Sequence, residues 1–460
     1  MTNWETHVSG LAELVDDSGL LVGKAVSDRY QVDWSGEHPV KPSLVLRPHD
    51  ASAISRVLSY CNKHRLPIVT QGGMTGLSGG ATPQPGEIVL SLERLNGVIE
   101  IDEQNMTMTV KSGTPLQVIQ QAALDTGLRF PLDLGARGSC HIGGNVSTNA
   151  GGNQVVRFGN ARALTLGLEA VLANGEIIRS MNKMIKNSAG YDLKHLFIGS
   201  EGTLGIITEL VIRLYPGSNN NHTALCALPD FDSTAKLLRS IMTELPGVTS
   251  FEVMWDKYVD AVCVASPAAM FPFDQRHGMY VLLEAEGCSA DQFQSALANQ
   301  LESELITDAL IASSKKDTAD FWALRDGVAD LMAGLDGFAT FDVGLPISAM
   351  EAFIDATDTA LNQRLSNVQH LPLGHIADGN LHFITWTENA GDVDAIYDTV
   401  YRVVEQFSGT VSAEHGIGMS KRPYLSMCRN EGEIALMHLL KSTLDPNHIL
   451  NPGRIIGGPI

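Results

Sequence analysis

Two histidines in the C-terminal part of the chain, His375 and His382, have a spacing that suits metal ligands. They lie in PLGHIADGNLHF (372–383), on either side of Asp378-Gly379, a dipeptide typical of two-residue hairpin turns. In that hairpin His375 faces His382 across the two strands, and residues opposed in this way have Cβ atoms about 5 Å apart. The pattern therefore predicts two imidazoles side by side on one face of a sheet. Two surface histidines in an ordinary hairpin would give the same pattern.

A second stretch, VSAEHGIGMSK (411–421), adds a carboxylate and a third imidazole at Glu414 and His415. Two neutral imidazoles and one carboxylate make a three-ligand site with open positions, which is typical of catalytic zinc and acceptable to manganese or iron. Adjacent residues on a regular strand point in opposite directions. The chain must therefore bend if Glu414 and His415 are to reach one site, and Gly416 would permit that bend.

The size and charge of the chain limit the classes of function. Its 460 residues exceed one ordinary core and predict two or three domains. The formal net charge of -20 argues against binding to nucleic acid or to anionic lipid, because both need basic patches. A small anionic substrate stays compatible with this charge, since a few local cations or a metal can bind it.

The cysteines and the apolar pattern indicate the compartment. Six cysteines are scattered without a C-x-x-C pair, which predicts free thiols in a reducing environment. The N-terminal stretch is acidic, and no stretch reaches the roughly 18 apolar residues of a membrane-spanning helix. We therefore expect a cytoplasmic protein with no signal peptide and no transmembrane segment.

The order of predicted elements indicates an α+β chain. A strand-helix-strand pattern begins at SLVLRP, with Asp50 as the N-cap of the helix. Short β segments follow, and LGLEAVLANGEIIRS predicts a hairpin with Asn174-Gly175 at the turn. The polar run PGSNNNH (216–222) marks a boundary, and beyond it amphipathic helices alternate with strands, as in an antiparallel sheet with helices on one side. The predicted parts are a helical lead-in (1–38), an α+β domain (39–216), a second domain (217–419) and a helical C-terminal segment (420–460).

Three glycine-rich stretches in the first domain suggest a binding site for an extended ligand. They are QGGMTGLSGG (71–80), PLDLGARGSCHIGGNVSTNAGG (131–152) and YDLKHLFIGSEGTLGIITE (191–209). Glycines let backbone N–H groups approach a phosphate closely, although each stretch taken singly could be only a tight turn. Neither a P-loop nor the G-x-G-x-x-G fingerprint is present. Three such loops in one domain favour a dinucleotide.

The order of these loops resembles that of the vanillyl-alcohol oxidase family of flavoproteins. Within it, PLDLGARGSCHIGGNVSTNAGG and YDLKHLFIGSEGTLGIIT are most similar to FAD-dependent D-2-hydroxy-acid dehydrogenases, above all the D-2-hydroxyglutarate dehydrogenases, and the resemblance covers 39–455. It implies a two-lobed FAD-binding domain, a substrate domain with an antiparallel sheet and helices, and a C-terminal segment that packs on the FAD domain.

The resemblance also implies which residues contact FAD. The pyrophosphate is expected against the first loop, and the isoalloxazine and ribityl parts along the second. Ile206 is expected to hold the adenine end through its backbone, and Asn451 and Arg454 of the tail to fold back on the flavin. The expected cofactor contacts in the loops are Gly72, Gly73, Met74, Thr75, Gly76, Leu77, Gly135, Ser139, Gly143, Gly144, Asn145, Thr148 and Asn149.

By the same resemblance, His375, His382 and Glu414 bind a divalent metal, zinc above all, and His415 is the catalytic base. Oxidation of an α-hydroxy acid removes a hydride from C2 and a proton from a weakly acidic hydroxyl. A metal lowers the pKa of that hydroxyl, the flavin N5 takes the hydride, and a histidine suits proton removal at neutral pH. Arg325 matches the arginine that binds the substrate carboxylate, although a solvated helix arginine is the simpler reading of its sequence context.

Three positions depart from the glutarate-type pattern. Ala329, Thr340 and Ile384 stand where polar residues are usual, which removes partners for an anionic substrate tail. The expected substrate is therefore D-2-hydroxyglutarate or D-malate, with D-lactate or another D-2-hydroxy acid with an apolar tail as the alternative. A zinc hydrolase and a non-catalytic flavin or metal carrier are further alternatives, but neither explains all of these features.

The partners follow from the chemistry. No haem motif or iron-sulfur cysteine set is present, so the reduced flavin would pass its electrons to a separate acceptor. An electron-transfer flavoprotein, a quinone or a cytochrome would serve, and the resemblance favours a dehydrogenase over an oxidase. A homodimer is compatible with these expectations.

Overall fold

The computed structural model describes residues 4–16, 18–218 and 220–457. They contain four β-sheets and the helices that cover them. The strands are β1 Leu20–Val22, β2 Leu44–Leu46, β3 Ile68–Gln71, β4 Ile88–Ser91, β5 Val98–Asp102, β6 Thr107–Lys111, β7 Leu128–Arg129, β8 Thr165–Val171, β9 Ile177–Ser180, β10 Ile206–Arg213, β11 Tyr215–Pro216, β12 Asn221–Leu228, β13 Val248–Trp255, β14 Met279–Glu286, β15 Asp308–Ile311, β16 Ala339–Gly344, β17 Gln369–Gly374 and β18 Asn380–Trp386. The helices are α1 Val8–Ala12, α2 Ala51–His64, α3 Leu116–Leu124, α4 Ile142–Ser147, α5 Val155–Phe158, α6 Ala161–Leu164, α7 Lys194–Phe197, α8 Phe231–Glu244, α9 Asp256–Ala265, α10 Ala290–Glu302, α11 Lys315–Asp326, α12 Val328–Ala333, α13 Met350–Arg364, α14 Val393–Gln406 and α15 Glu431–Leu444.

The chain divides into two compact units. Unit 1 consists of 1–152, 159–217 and 414–460, and unit 2 consists of 153–158 and 218–413. The functional roles predicted for the two domains stay predictions at this stage. In the part of the chain that the structure describes, no helix is long and apolar enough to span a bilayer. All six cysteines are free thiols, as the sequence predicts.

The first sheet of unit 1 contains the predicted strand-helix-strand unit. Its order is β1-β2-β4-β3, and both β2 and β3 pair in parallel with β4. The crossover helix α2 begins at Asp50, whose side chain accepts a hydrogen bond of 2.7 Å from the Ala53 N–H. This capping satisfies one of the unpaired N–H groups at the helix start. The predicted N-cap is therefore confirmed, and β3 delivers the chain directly into the first glycine loop.

The second sheet of unit 1 is antiparallel, with the order β5-β6-β10-β8-β9. The predicted Asn174-Gly175 turn joins β8 to β9, and Gly175 has a φ of +88°, in the left-handed region that glycine adopts at little cost. The preference of the Asn-Gly dipeptide for tight turns therefore predicts the connection between β8 and β9 correctly.

The C-terminal tail is anchored to unit 1 by buried charges. Lys441 of α15 donates to the Thr203 and Leu450 carbonyls and to the Asp445 carboxylate at 2.6 to 2.8 Å. Arg454 is 1% exposed, and its guanidinium pairs with the Glu87 carboxylate. A buried charge of this kind is tolerated only when it is paired. The tail is thereby held against the first sheet of its own unit.

Unit 2 is built on one antiparallel sheet with the order β15-β12-β14-β13-β17-β18-β16. Helices α9, α11 and α12 cover one face, where Tyr258, Leu324 and Ile384 share an apolar cluster. On the other face, Phe353 of α13 contacts Phe383. The expectation of helices on one side is therefore wrong. Strands such as VLLEAEG carry apolar residues at both alternating positions, and such a sheet needs cover on both faces.

Candidate active site

The connection between β17 and β18 brings His375 and His382 together, but not by the predicted pairing. β17 ends at Gly374, a 3-10 turn spans Ile376–Asp378, and the residue opposite His382 is Leu373. The two-residue hairpin is therefore wrong, because the buried Ile376 and the left-handed Gly379 make a longer turn. The register moves by two residues, and since the side-chain period of a strand is also two, both imidazoles remain on one face. Their ring centroids are 5.2 Å apart.

A buried carboxylate fixes the ring of His375. Glu252 of β13 is 2% exposed, and its Oε1 lies 2.6 Å from Nδ1 of His375. Arg325 of α11 donates from Nε to Glu252 at 3.0 Å and from its terminal nitrogen to Nε2 of His375 at 3.0 Å. Because Nε2 accepts, Nδ1 must carry the proton and donate it to Glu252. The imidazole is thus held in the tautomer whose Nε2 carries the lone pair, and in this structure that lone pair accepts from Arg325.

The charges in this network stabilise one another. Burial alone would raise the pKa of Glu252, but His375 and Arg325 outweigh it, and the pKa lies below its usual range. Burial alone would lower the pKa of Arg325, but the Glu252 carboxylate outweighs it, and the pKa lies above its usual range. Glu252 therefore stays ionised and Arg325 stays charged. Glu252 was not singled out from the sequence, where its signal was an acidic residue between the apolar Phe251 and Val253.

His382 also lies beside a carboxylate. Asp342 of β16 is fully buried and stands directly opposite His382 in the register of β16 and β18. A ring nitrogen of His382 lies within 4.8 Å of an Asp342 oxygen, and a ring nitrogen of His382 also lies within 4.8 Å of a ring nitrogen of His375. Ser412 donates to Oδ2 of Asp342 at 3.0 Å. Two neighbouring imidazoles, one of them oriented by a carboxylate, are a donor set that fits a divalent cation such as zinc.

Glu414 and His415 begin the last segment of unit 1. A Cβ at Gly151 would lie 2.4 Å from Oε1 of Glu414, so the Glu414 side chain runs against the end of the second glycine loop. The Ser78 hydroxyl donates to the His415 carbonyl at 3.3 Å. Both residues therefore contact the glycine loops of their own unit. Their role in one centre with the two histidines of unit 2 stays a prediction.

The first two glycine loops pack against each other through their backbones. A Cβ at Gly73 would lie 2.0 Å from the Ser139 carbonyl oxygen, so only glycine fits at position 73. Met74 has a φ of +60°, which is unusual for a residue with a side chain and marks a constrained turn. By contrast, a Cβ at Gly135 or Gly144 would meet no atom within 4 Å. Two of the predicted cofactor glycines thus face open space.

Two buried polar atoms in the second loop have no partner in the described structure, Nδ1 of His141 and Oδ1 of Asn145. His141 lies next to the first loop, since a Cβ at Gly72 would be 3.8 Å from its Nδ1. Burial lowers the pKa of His141, so its ring is neutral. A buried polar atom without a partner requires an explanation, and a bound polar ligand supplies one. These residues therefore fit a dinucleotide cofactor, and His141, which was not singled out from the sequence, is a candidate contact.

The third loop and the tail meet β3, the strand before the first loop, through Asn451. Its Oδ1 accepts from the Thr70 N–H at 2.8 Å, and its Nδ2 donates to the Glu201 carbonyl at 2.7 Å. Ile206 is 1% exposed and packs in the core below the first sheet. Asn451 thus links the third loop and the tail to the strand that leads into the first loop. The contacts of Ile206, Asn451 and the other predicted cofactor residues with FAD stay predictions.

The three departures from the family pattern lie on or near one face of the unit 2 sheet. Thr340 stands opposite Ile384 in the register, two residues along the strands from the Asp342 and His382 pair. Ile384 is 2% exposed and belongs to the apolar cluster under α9, α11 and α12, and Ala329 lies in α12. A substrate tail directed along this face would therefore meet apolar side chains.

Comparison with known protein families gives two matches. Residues 42–180 match the model described as "FAD binding domain", and residues 218–455 match "FAD linked oxidases, C-terminal domain". The chain is 37% identical to the D-2-hydroxyglutarate dehydrogenase of Xanthomonas citri pv. viticola, over 98% of this chain and 97% of that one. It is 32% identical to the D-2-hydroxyglutarate dehydrogenase of Stutzerimonas stutzeri, over 96% and 98%.

Among solved structures, the chain is similar to p-cresol methylhydroxylase with its substrate bound. The TM-score is 0.79 at 16% identity, over 99% of this chain and 97% of that one. This likeness shows the fold alone. It confirms the predicted α+β architecture of the vanillyl-alcohol oxidase type.

His141→Ala is expected to weaken FAD binding. Loss of one hydrogen bond costs about 0.5–1.5 kcal/mol, so the Kd should rise about 2- to 12-fold. Titration of the deflavinated protein with FAD, followed by flavin fluorescence, measures this change. The control is His64→Ala, since His64 is an exposed residue of unit 1 in a ring contact with Tyr60. An unchanged Kd in His141→Ala would contradict the assignment.

Proposed function

Because this chain belongs to the family of FAD-linked flavoproteins that includes the D-2-hydroxyglutarate dehydrogenases, we propose that it oxidises a D-2-hydroxy acid to the 2-oxo acid with the help of a divalent metal. The observation that carries the metal-assisted mechanism is the ring of His375, which Glu252 holds at Nδ1 at 2.6 Å. Histidines that bind a metal commonly donate their second N–H to a carboxylate in this way.

Different residues of the chain have different roles in the proposed reaction. His375, His382 and Glu414 would hold the cation, with zinc as the first expectation, and the three glycine loops would hold FAD. When bound, FAD supplies the acceptor for the hydride, and the cation supplies Lewis-acid chemistry that lowers the pKa of the substrate hydroxyl. His415 takes the hydroxyl proton at a ring nitrogen, a task that suits a side chain with an ordinary pKa near 6.5.

Arg325 is the cation proposed for a substrate carboxylate. Its guanidinium is held by Glu252 through Nε, and its two terminal nitrogens, which here donate to His375 and Asp326, form a planar fork of the geometry that matches a carboxylate. The first candidate substrates are accordingly D-2-hydroxyglutarate, which the names of the two bacterial relatives contain, and D-malate. A short or apolar D-2-hydroxy acid such as D-lactate is the second candidate. It is favoured by the buried Ile384 opposite Thr340, where polar groups would serve a second carboxylate better.

The reduced flavin requires an electron acceptor. We propose a separate molecule, an electron-transfer flavoprotein, a quinone or a cytochrome, because the chain has no sequence motif for haem or an iron-sulfur cluster.

Anaerobic mixing of the FAD-loaded protein with D- and L-2-hydroxy acids tests the function. We expect D-2-hydroxyglutarate or D-malate to bleach the visible absorption of the flavin and the L-enantiomers to leave it unchanged. Arg325→Lys keeps the charge but loses the fork. A hydrogen bond to a charged group contributes about 1.5–3 kcal/mol, so the KM for the diacids should rise about 10- to 150-fold.

The same Arg325→Lys variant separates the two substrate candidates. If Arg325 binds the distal carboxylate, D-lactate turnover should change much less than diacid turnover, whereas equal losses would assign Arg325 to the carboxylate at C1. Arg364→Lys is the matched control, since Arg364 forms an exposed ion pair with Asp398 in the same unit. Reduction by the L-enantiomers, or a purified protein that does not bind FAD, would contradict the proposed function.

Removal of the metal should abolish turnover and leave FAD bound. The expected evidence is loss of D-2-hydroxy-acid oxidation after chelation, with retained flavin absorption and restored activity on addition of zinc, manganese or iron. Glu252→Gln should weaken metal binding by about 10- to 100-fold in a direct titration, because it removes the carboxylate that orients His375. Glu284→Gln, on the neighbouring strand, is the control. Full turnover by the metal-free protein would refute metal dependence.

A further inference from the structure

A carboxylate from a distant part of unit 1 holds the turn that follows Glu414 and His415. The Glu201 side chain accepts from the Ile417 N–H at 2.7 Å with one oxygen and from the Gly418 N–H at 2.8 Å with the other. Gly416 and Gly418 have φ values of +79° and +52°. Successive backbone N–H groups in such a turn converge and form a concavity for an anion. Here the group in the concavity is a side-chain carboxyl of the protein itself, whose pKa is raised by burial although the two N–H donors oppose that shift.

The turn is also confined by Ser78 of the first glycine loop. The Ser78 hydroxyl donates to the Gly416 carbonyl at 3.1 Å, and the Ser78 carbonyl accepts from the Met419 N–H at 2.8 Å. A Cβ at Gly416 would lie 2.8 Å from Oε1 of Glu201, and a Cβ at Gly418 would lie 2.0 Å from the Ser78 carbonyl oxygen. The glycines are therefore required by close approach as well as by backbone conformation.

The second glycine loop and the C-terminal tail hold Glu201 itself in place. It has a φ of +50°, its N–H donates to the Ser147 carbonyl at 2.8 Å, and its carbonyl accepts from Asn451 at 2.7 Å. A non-glycine residue in the left-handed region costs free energy and persists only where its surroundings enforce it. Glu201 thus joins the second glycine loop and the C-terminal tail to the turn after His415.

We propose that Glu201 is a positioning residue for His415, which fixes the direction of that imidazole relative to the three glycine loops. This inference rests on the proposed role of His415 as the base. Glu414 and His415 are adjacent, so both can act at one site only if the backbone bends beside them. Glycines at 416 and 418 permit the bend but do not select one conformation, since glycine has the largest backbone freedom. The two hydrogen bonds from the turn to Glu201 select one bent conformation of the backbone.

A double-mutant comparison tests the proposal. Glu201→Gln should retain FAD and slow flavin reduction by D-2-hydroxyglutarate about 10- to 100-fold, because a misplacement of about 1 Å costs up to about 10²-fold in rate. His415→Ala should slow it about 10²–10⁴-fold. The double variant should be no slower than His415→Ala alone, because Glu201 acts through that ring. Stopped-flow absorption under anaerobic conditions, with matched FAD content, measures all three rates.

The outcomes distinguish failure of the positioning role of Glu201 from failure of the proposed function. A wild-type rate in His415→Ala overturns the base assignment and the inference with it. A slow His415→Ala combined with a wild-type rate in Glu201→Gln, or with a fully multiplicative double variant, overturns the inference alone. Glu100→Gln is the matched control, because Glu100 of the same unit lies outside the three loops, forms an ion pair of 2.7 Å with Lys183 and should leave the rate unchanged.

A second variant serves if Glu201→Gln does not fold or does not retain FAD. Ser78→Ala removes the hydroxyl contacts to the His415 and Gly416 carbonyls and leaves the Ser78 backbone in place. One neutral hydrogen bond contributes about 0.5–1.5 kcal/mol, so we expect a rate loss of about 2- to 12-fold that disappears in the His415→Ala background. A wild-type rate in Ser78→Ala, or an equal loss in both backgrounds, would overturn the proposal.

Discussion

The buried carboxylate of Glu252 is the interaction on which the proposed chemistry of unit 2 depends. It lies between the Nδ1 of His375 and the Nε of Arg325, at 2.6 and 3.0 Å, and it is only 2% exposed. An anion in such a position is tolerable because both partners are hydrogen bonded to it. Its two oxygens serve two functions at once, since one selects the tautomer of a proposed metal ligand and the other directs a guanidinium proposed for the substrate.

In unit 1, polar side chains also hold the site in place, but their hydrogen-bond partners are backbone groups and not charged side chains. Glu201 holds a turn through two N–H donors, and Asn451 joins the strand before the first loop to the Glu201 carbonyl. Gly135 and Gly144 face open space, and the buried Nδ1 of His141 and Oδ1 of Asn145 have no partner in the described structure, as a bound polar ligand would require. The protein thus supplies fixed polar groups, and the reactive chemistry belongs to the metal and the flavin that we propose they bind.

The sequence predicted what local rules and long motifs determine. The Asp50 cap, the Asn174-Gly175 turn and the α+β family fold follow from short-range chemistry or from extended resemblance. The Asp378-Gly379 hairpin failed because burial of Ile376 outweighed the dipeptide preference. Glu252, Asp342 and Glu201 were missed because each acts across a sheet or between loops far apart in sequence. Such pairings depend on tertiary register, which a single sequence does not display.

X-ray absorption spectroscopy of the metal-loaded protein tests the central claim most directly, because it counts the imidazoles bound to the cation. For zinc, the account predicts a first shell of nitrogen and oxygen at about 2.0–2.2 Å with the outer-shell scattering of two histidines. It further predicts that His375→Ala retains one histidine and that Glu252→Gln keeps two with a weaker or more disordered signal. A wild-type spectrum without histidine scattering, or one unchanged in His375→Ala, would contradict the account.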